Sequence, residues 1–272
     1  MKIQILGTAA YERVPALFCG CTTCVYARAN GGKNIRTRSQ ALIDEELLID
    51  LPADTYAHFL QNGIRGDQIR YLLVTHSHSD HLYPKELAMR HAPYAHNMVP
   101  ELEVYCGEGA FGMLEKCFQE KVGFSVSQLH PFVPTQVGSY RVTALPARHY
   151  PGDGALFYII QGEKNILYAH DTGFFYEEVF EYIRDAGIRF DFATFDCTNV
   201  DIPISDEGTH MGIPNILRVV DRLESLGAMD EKTIKVINHF SHNGKNVSYD
   251  EFVGIAAEHD FEVSYDGMVI EF

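Results

Sequence analysis

The chain has 272 residues, 46% of them hydrophobic, and its 37 acidic residues exceed its 22 basic ones to give a formal net charge of −15. It therefore lacks the basic excess with which a large nucleic-acid-binding surface releases phosphate counterions. No run of about 18 apolar residues predicts a membrane span, and residues 1–7 lack the long apolar region of a secretory signal. We expect a cytoplasmic globular protein without a membrane or large nucleic-acid partner.

Apolar runs and helical periodicities alternate along the chain. Apolar runs predict strands at 2–6, 40–43, 47–50, 70–74, 102–105, 140–145, 155–161, 165–169, 190–195, 233–237, 261–264 and 268–272. Helical spacing predicts helices at 55–62, 84–91, 110–121, 176–186, 213–226 and 249–259. Hairpins dominate the first half and strand–helix alternation the second, so two packed sheets with helices outside fit the pattern. Without an internal repeat or a linker, residues 1–272 are predicted to form one domain.

Four potential metal ligands follow the strand at 70–74 within six residues: His76, His78, Asp80 and His81. In an extended segment, side chains two positions apart project to the same side, so His76 and His78 can hold one ion together. A turn after Ser79 would direct Asp80 and His81 to a second position. Imidazoles and carboxylates suit zinc, manganese or iron. Solvated polar residues are the alternative, which the density of the cluster disfavours.

The segment Thr75-His76-Ser77-His78-Ser79-Asp80-His81 resembles the H-x-H-x-D-H signature of the metallo-β-lactamase superfamily. Candidates for the superfamily's other motifs occur in the expected order, at Asp50, His149, Asp171 and His239. The resemblance implies an α/β protein with the αββα sandwich of the metallo-β-lactamase fold, in which two mixed β-sheets carry helices on their outer faces.

The resemblance also implies two active-site metal ions. One would be held by His76, His78 and His149, the other by Asp80, His81 and His239, and Asp171 would bridge them. Two dications bring more charge than two aspartates neutralise, so positive charge remains to activate a bridging water and to attract an anionic substrate. Asp80 and Asp50 are candidate catalytic residues, and Asp50 suits a residue that orients a ligand or water.

Three cysteines, Cys19, Cys21 and Cys24, lie within six residues. In a reducing compartment such a cluster indicates metal binding before a disulfide, and three thiolates leave a tetrahedral zinc site one ligand short. His242 is a candidate fourth ligand, because it follows His239 by three positions and an odd spacing directs the two side chains to opposite sides of an extended chain. Free or redox-active thiols are the alternative.

The cysteine cluster resembles the C-x-C-x-x-C insert of one branch of the superfamily, the PhnP-type phosphoribosyl cyclic phosphodiesterases. His239-Phe240-Ser241-His242 resembles the H-x-x-H pair of that branch. The resemblance implies a structural zinc held by Cys19, Cys21, Cys24 and His242, an insert at about 15–38, and a homodimer. It also matches His210 to a catalytic histidine, which would serve as the general acid.

The expected function is hydrolysis of a small phosphodiester, of the phosphoribosyl cyclic phosphate or cyclic nucleotide type, with two divalent ions of manganese, zinc or iron. The alternatives are a hydrolase of a lactone, thioester or β-lactam, an RNA 3′-processing nuclease, and a carrier-like binding protein of the PQQ pathway. The charge of −15 disfavours the nuclease, and the complete ligand set disfavours the carrier. His170 is expected to be structural, and His58, His91, His96, His130 and His259 are expected at the surface.

Overall fold

The computed structural model describes residues 1–96 and 101–272, and the described residues form two seven-stranded sheets. The first sheet has the order β14-β1-β2-β3-β4-β5-β6. Its strands are β1 (Lys2–Gly7), β2 (Gln40–Ile43), β3 (Leu47–Ile49), β4 (Tyr71–Val74), β5 (Leu102–Cys106), β6 (Phe124–Gln128) and β14 (Met268–Glu271).

The second sheet has the order β13-β12-β11-β10-β9-β8-β7. Its strands are β7 (Pro134–Val137), β8 (Tyr140–Pro146), β9 (Leu156–Gln161), β10 (Asn165–Ala169), β11 (Phe192–Asp196), β12 (Ile234–Asn238) and β13 (Glu262–Val263). Both sheets are mixed: β3 to β6 and β10 to β13 run parallel, and the remaining neighbours are antiparallel. The carboxyl ends of parallel strands lie at one edge of a sheet, where α/β proteins bind their ligands.

Helices cover the outer faces of both sheets. They are α1 (Thr22–Asn30), α2 (Thr55–Asn62), α3 (Glu108–Cys117), α4 (Glu177–Ala186), α5 (Ile213–Ser225) and α6 (Tyr249–Ala257), with short 3₁₀ helices at Gly32–Asn34, Gly66–Gln68 and Pro84–Met89. Apolar residues of α2 and α3 pack on the first sheet, and those of α4, α5 and α6 pack on the second. The αββα fold class is thereby confirmed. Within the described residues, no helix has the length and apolarity to cross a membrane.

The strands of the second sheet are apolar on both faces because both faces are covered. In β10, Ile166 and Tyr168 pack in the core between the sheets, whereas Leu167 and Ala169 pack beneath the outer helices. A strand that is buried on both faces has a continuous run of apolar residues in its sequence. This is why residues 165–169 were predicted as a strand.

The sequence patterns did not predict β6, β7 and α1, and they placed the ends of several helices too late, including that of α6, which ends at Ala257. β6 and β7 are edge strands with exposed positions, so neither carries a strong apolar pattern. α1 begins with two threonines and has only two buried residues, which weakens its helical signal. The helix predicted at 84–91 is a 3₁₀ helix, Pro84–Met89, and the one predicted at 110–121 ends at Cys117.

Two tyrosines on neighbouring strands differ in their hydrogen bonding. Tyr158 of β9 and Tyr168 of β10 are paired in register, and both are fully buried between the sheets. The Tyr158 hydroxyl donates to the Val74 carbonyl oxygen at 2.5 Å, whereas the Tyr168 hydroxyl lies near Ser39 but makes no well-aligned hydrogen bond within the described residues. Tyr158 therefore ties the second sheet to the end of β4, next to the candidate metal ligands.

We predict unequal changes in the free energy of unfolding when the two hydroxyl groups are removed. Tyr158→Phe leaves a buried carbonyl without its donor and should lower the free energy of unfolding by about 1–3 kcal/mol. Tyr168→Phe removes a hydroxyl that makes no well-aligned hydrogen bond, so it should change that free energy by less than about 0.5 kcal/mol or raise it. Urea unfolding followed by circular dichroism measures both, and equal losses would contradict the assignment.

Candidate metal centre

The first histidine cluster lies directly after β4. His76 Nε2 is 3.0 Å from His78 Nδ1, and His149 Nε2, from the loop after β8, is 3.2 Å from the same atom. Ligand nitrogens about 2.0–2.1 Å from a tetrahedral zinc are about 3.3 Å apart, so the spacing fits a shared ion. Burial holds the pKa of His76 well below its ordinary value and lowers the pKa of His149, which favours the neutral rings that ligate metals.

The second cluster gathers Asp80, His81 and His239 around Asp171. Asp171 Oδ2 is 2.5 Å from His81 Nε2 and 3.2 Å from His239 Nε2, and His81 Nε2 is 3.4 Å from Asp80 Oδ2. Despite this proximity, neither buried Nε2 atom makes a well-aligned hydrogen bond within the described residues. Imidazole nitrogens and carboxylate oxygens that converge in this way are placed to act together as ligands of one cation.

Asp171 also reaches the first cluster, since its Oδ2 is 3.7 Å from His76 Nε2. One carboxylate oxygen thus lies between the two histidine sets. Asp171 follows β10 with a φ of 49°, and two further site residues at strand ends, Asp50 and His239, have φ values of 66° and 63°. Left-handed conformations are costly for residues other than glycine and concentrate at functional sites.

Two buried aspartates lie at the Nδ1 atoms of two ligand rings, on the side away from the Nε2 atoms that face Asp171. Asp50 Oδ2 accepts from His81 Nδ1 at 2.6 Å, and Asp50 Oδ1 accepts from the Thr75 backbone N–H at 2.8 Å. Asp196 Oδ2 is 3.4 Å from His239 Nδ1. A carboxylate at Nδ1 keeps the proton there and leaves the Nε2 lone pair free for a metal. Asp50 thus has the contacts expected of a residue that orients a ligand ring.

Asp196 and Asp153 are site residues that the sequence analysis did not identify. Asp196 ends β11, so it had the same signal as Asp50, an aspartate at the end of an apolar parallel strand. Asp153 accepts a hydrogen bond from the Ser77 backbone N–H at 3.0 Å, which fixes the loop between His76 and His78. Its position in the Gly-rich segment 150–154 carries no comparable signal.

Carboxylates are concentrated at the centre. In the described part of the chain, the four most deeply buried aspartates all lie here: Asp50, Asp80, Asp171 and Asp196. Burial alone would lower the pKa of His239, but Asp171 and Asp196 raise it to about 10. The ligand set predicted from the sequence contains two aspartates, whereas the four carboxylates of the folded centre balance the charge of two dications and leave no surplus.

His210 stands at the mouth of the second cluster. Its Nδ1 is 2.9 Å from Asp196 Oδ2, 3.3 Å from Thr198 Oγ1 and 3.4 Å from Asp171 Oδ1. Burial would lower the pKa of His210, but the charge of Asp196 outweighs it and raises the pKa above its ordinary value. With Nδ1 bonded to Asp196, the Nε2 atom is the one left for a ligand.

A cleft of about 570 Å³ opens over both clusters. Its lining contains no lysine or arginine, and the described residues that form it are Ala10, Tyr11, Glu12, His78, Ser79, Asp80, His149, Tyr150, Asp171, Thr198, His210, His239, Ser241 and Asn243. Each candidate catalytic or metal-binding residue of the sequence analysis lies at this cleft, directly beneath it, or at the cysteine cluster.

The cysteine cluster forms a third group of potential ligands, Cys19, Cys21, Cys24 and His242. His242 Nδ1 is 3.5 Å from Cys21 Sγ and 3.7 Å from Cys19 Sγ, close to the roughly 3.5 Å expected between sulfur and nitrogen ligands of a tetrahedral zinc. Despite burial, a backbone hydrogen bond from Cys24 helps to lower the pKa of Cys21 to about 7, whereas burial raises the pKa of Cys24 to about 11. A cation would be needed to deprotonate the Cys24 thiol.

His170 is structural in this geometry, and His58 contradicts the expectation that it lies at the surface. His170 is buried, with Nε2 2.8 Å from Thr194 Oγ1. His58 is also buried and its Nδ1 donates to Gln40 Oε1 at 2.6 Å. Gln40 Nε2 in turn donates to the Asp50 carbonyl oxygen at 2.9 Å. Because His58 is a polar residue, the apolar pattern of α2 does not indicate that it is buried, and the sequence does not predict its contact with Gln40 or the support for Asp50.

The hydrogen bonds that support Asp50 continue from His58 through Thr37 to Asp266, in the turn before β14. Thr37 Oγ1 is 2.6 Å from His58 Nε2 and 2.5 Å from Asp266 Oδ2, yet a hydroxyl has one proton for these two acceptors. Gln40 is oriented by its own donor bonds, so the proton on His58 Nδ1 is required. This hydrogen-bond chain therefore lacks one proton when Asp266 is ionised, and a protonated Asp266 would supply it. Asp266 takes up that proton more readily than His58 does, because burial raises the pKa of Asp266 to about 6 and lowers that of His58 to about 4.

Residues 47–240 match the family profile described as the beta-lactamase superfamily domain, which is the family of metal-binding αββα proteins anticipated from the histidine motif. The chain belongs to this superfamily. A search of curated proteins finds no match.

Solved structures of the same fold cover the whole chain. A diphosphatase from the PhnP family has a TM-score of 0.73 at 18% identity, covering 100% of this chain and 97% of its own. Zn²⁺-bound PqqB from Methylobacterium extorquens has a TM-score of 0.72 at 17% identity, covering 100% of both chains. The short form of human tRNase Z has a TM-score of 0.66 at 15% identity, covering 100% of this chain and 99% of its own. At these identities the likeness is one of fold.

The additional proton predicts a pH dependence of stability. Because the pKa of Asp266 rises from 3.8 in the unfolded chain to about 6 in the fold, the stabilisation it brings is complete below pH 3.8 and is lost as the pH rises through 6. Relative to Asp266→Asn, the free energy of unfolding of the wild type should fall by about 1 kcal/mol between pH 5 and pH 7.5. The neighbouring Arg36 and the neighbouring titratable group His58 are present in both proteins.

The measurement is urea unfolding at each pH, with the exposed Asp221→Asn as the matched control. The control should show no difference from the wild type that depends on pH. A wild type that gains stability over Asp266→Asn in this range would place a carboxylate, not a carboxylic acid, in the chain.

Proposed function

We propose that this protein is a dinuclear metal-dependent phosphodiesterase that hydrolyses a small phosphodiester of the cyclic sugar phosphate or cyclic nucleotide type. The observation that carries the proposal is the position of Asp171. Its Oδ2 atom lies between the two histidine sets, and its Oδ1 atom faces His210. A carboxylate shared by two ions about 3.5–4 Å apart is suited to the in-line displacement of a phosphodiester.

The residues present fit two divalent ions in donor type and spacing. His76, His78 and His149 would hold one ion, Asp80, His81 and His239 the other, and Asp171 both. When bound, the two ions supply Lewis acidity to the phosphoryl group and to an attacking water. Nitrogen and carboxylate donors are compatible with manganese, zinc or iron.

His210 is proposed as the general acid. Asp196 and Thr198 hold its Nδ1 side, so the ring orientation is fixed and Nε2 remains for the cleft. From there the imidazole can pass a proton to the oxygen of the leaving alkoxide. Asp80 would act as a ligand on the cleft floor, and Asp50 would act through His81 without touching substrate, since it is fully buried and does not line the cleft.

A structural zinc at Cys19, Cys21, Cys24 and His242 is proposed as the third metal. It would join the insert at about 15–38 to the loop after β12, beside the active site, and so stabilise that wall of the cleft. The homodimer and the cytoplasmic location stay predictions from the sequence.

The same features weigh against the alternatives. A carrier that had lost its catalytic ions would not be expected to keep seven convergent ligands. An RNA-processing nuclease would be expected to have a basic surface, in contrast to the net charge of −15 and the cleft without lysine or arginine. Two of the similar structures are named as a diphosphatase and a tRNase, which supports attack at phosphorus over attack at a lactone or thioester.

The direct test is a substrate panel on protein of measured metal content. Bis(p-nitrophenyl) phosphate, 2′,3′-cyclic nucleotides and ribose 1,2-cyclic phosphate should be cleaved by the manganese- or zinc-loaded protein. A lactone and a thioester serve as comparison substrates, and turnover of these alone would overturn the proposal.

Removing the shared carboxylate should empty both active-site positions. Asp171→Ala is expected to lose both of these ions and to keep the zinc at the cysteine cluster, because only the active-site ions share the Asp171 ligand. Inductively coupled plasma mass spectrometry measures the metal content per chain. Cys19→Ser is the complementary control, which should lose only the cysteine-site zinc. Retention of two active-site ions by Asp171→Ala would refute the bridging role.

The loss of activity on removing the general acid should depend on the leaving group of the substrate. His210→Ala should keep its metals but slow turnover of ribose 1,2-cyclic phosphate by about 10²–10⁴-fold, with the loss in kcat. Bis(p-nitrophenyl) phosphate should lose much less, since p-nitrophenolate leaves without a proton. His130→Ala, an exposed histidine outside the cleft, is the matched control. Equal losses on both substrates would remove His210 from proton transfer.

A further inference from the structure

Glu12 lies in the turn after β1 and belongs to the cleft wall. Its side chain is 25% exposed. Oε1 accepts hydrogen bonds from the Ser241 hydroxyl and from Asn243 Nδ2, the latter at 3.1 Å. In the described part of the chain Oε2 has no such partner, so one oxygen of a fixed carboxylate remains free to accept a hydrogen bond at the cleft.

The same carboxylate faces the cysteine cluster. His242 directs Nδ1 to the thiols of Cys19 and Cys21 and directs Nε2 to Glu12 Oε1, at 3.8 Å. Among the described residues, no other carboxylate lies within 4 Å of the His242 ring. A histidine that ligates a metal generally directs its other ring nitrogen to a carboxylate or carbonyl group, and this partner tunes the affinity of the site.

The residues that line the cleft restrict which chemical group of a substrate can lie against Glu12. With no lysine or arginine in the described lining, a second phosphate on the substrate would meet the Glu12 carboxylate without a protein cation to bind it. Arg148, near the cleft, is already engaged by Glu207 at 3.0 Å. Tyr11 and Tyr150 at the rim are 57% and 61% exposed, and aromatic rings pack well against the apolar face of a sugar.

We infer that Glu12 is a substrate-binding residue, held in place by Ser241 and Asn243 on either side of the metal-site residue His242, and that it selects phosphodiesters whose attached group bears free hydroxyls and no second phosphate. The inference rests on the proposed function, because it assumes that the phosphodiester binds at the dinuclear centre. It links the third metal to substrate selection in three steps. A metal at the cysteines would fix His242 and the segment around it, the Ser241 and Asn243 side chains of that segment hold Glu12 Oε1, and Glu12 Oε2 would accept a hydrogen bond from a sugar hydroxyl.

The first arm of the test compares ribose 1,2-cyclic phosphate with and without a 5-phosphate. The wild type should have the higher kcat/KM for the form without the 5-phosphate, and Glu12→Gln should reduce that preference by about 10-fold, mainly through KM. Glu178→Gln, an exposed residue on α4, should leave the preference unchanged. A variant that was merely less stable would lose activity on both substrates equally.

The second arm needs no turnover. In protein loaded with Co²⁺, the thiolate-to-cobalt absorption reports the cysteine site alone, and its decay on addition of a chelator gives the rate of metal loss. Glu12→Gln and Glu12→Ala should both lose this cobalt about 10-fold faster than the wild type or Glu178→Gln. Thermal unfolding of the variants verifies that they remain folded.

The outcomes separate this inference from the proposed function. If the wild type cleaves neither ribosyl substrate nor bis(p-nitrophenyl) phosphate, the phosphodiesterase proposal fails, and the cobalt measurement still tests the contact between Glu12 and His242. If the wild type cleaves phosphodiesters, then an unchanged substrate preference or an unchanged rate of cobalt loss in Glu12→Gln overturns the link.

Discussion

The structure of the site depends on one buried carboxylate placed among imidazoles. Asp171 is within 3.7 Å of ring nitrogens from His76, His81 and His239, and these residues come from loops after three different strands. Carboxylates that are brought together in a low-dielectric interior repel one another strongly. Four of them are buried here, so the folded state needs positive charge at this position. Divalent cations meet that need at the place where the histidines leave their lone pairs unpaired.

The rest of the fold positions these groups. Parallel strands from both sheets end at the same edge, which lets Asp50, Asp196 and the ligand loops meet although they are far apart in sequence. The left-handed backbone at Asp50 is held by the Gln40 side chain, and Gln40 is held by His58. Strained residues persist only where their surroundings determine them this strongly. The polar interior of the sandwich is thus the part that gives the metal ligands their geometry.

Much of the fold and most of the site could be predicted from the sequence, for specific reasons. The central strands are apolar on both faces, and the ligand set carries a dense local motif whose partners recur at strand ends. The edge strands β6 and β7 were missed because their exposed positions lack an apolar pattern. Asp196, Glu12 and His58 were missed because their importance comes from contacts across the fold. Glu12 meets His242 only when the N-terminal turn packs beside the loop after β12, and no local pattern records that.

Anomalous diffraction from crystals of the manganese- or zinc-loaded protein would show whether two ions share Asp171. We expect two anomalous peaks about 3.5–4 Å apart, one near His76, His78 and His149 and one near Asp80, His81 and His239, with Asp171 contacting both. A third peak is expected among Cys19, Cys21, Cys24 and His242. A single active-site peak, or two peaks of which only one contacts Asp171, would contradict the account.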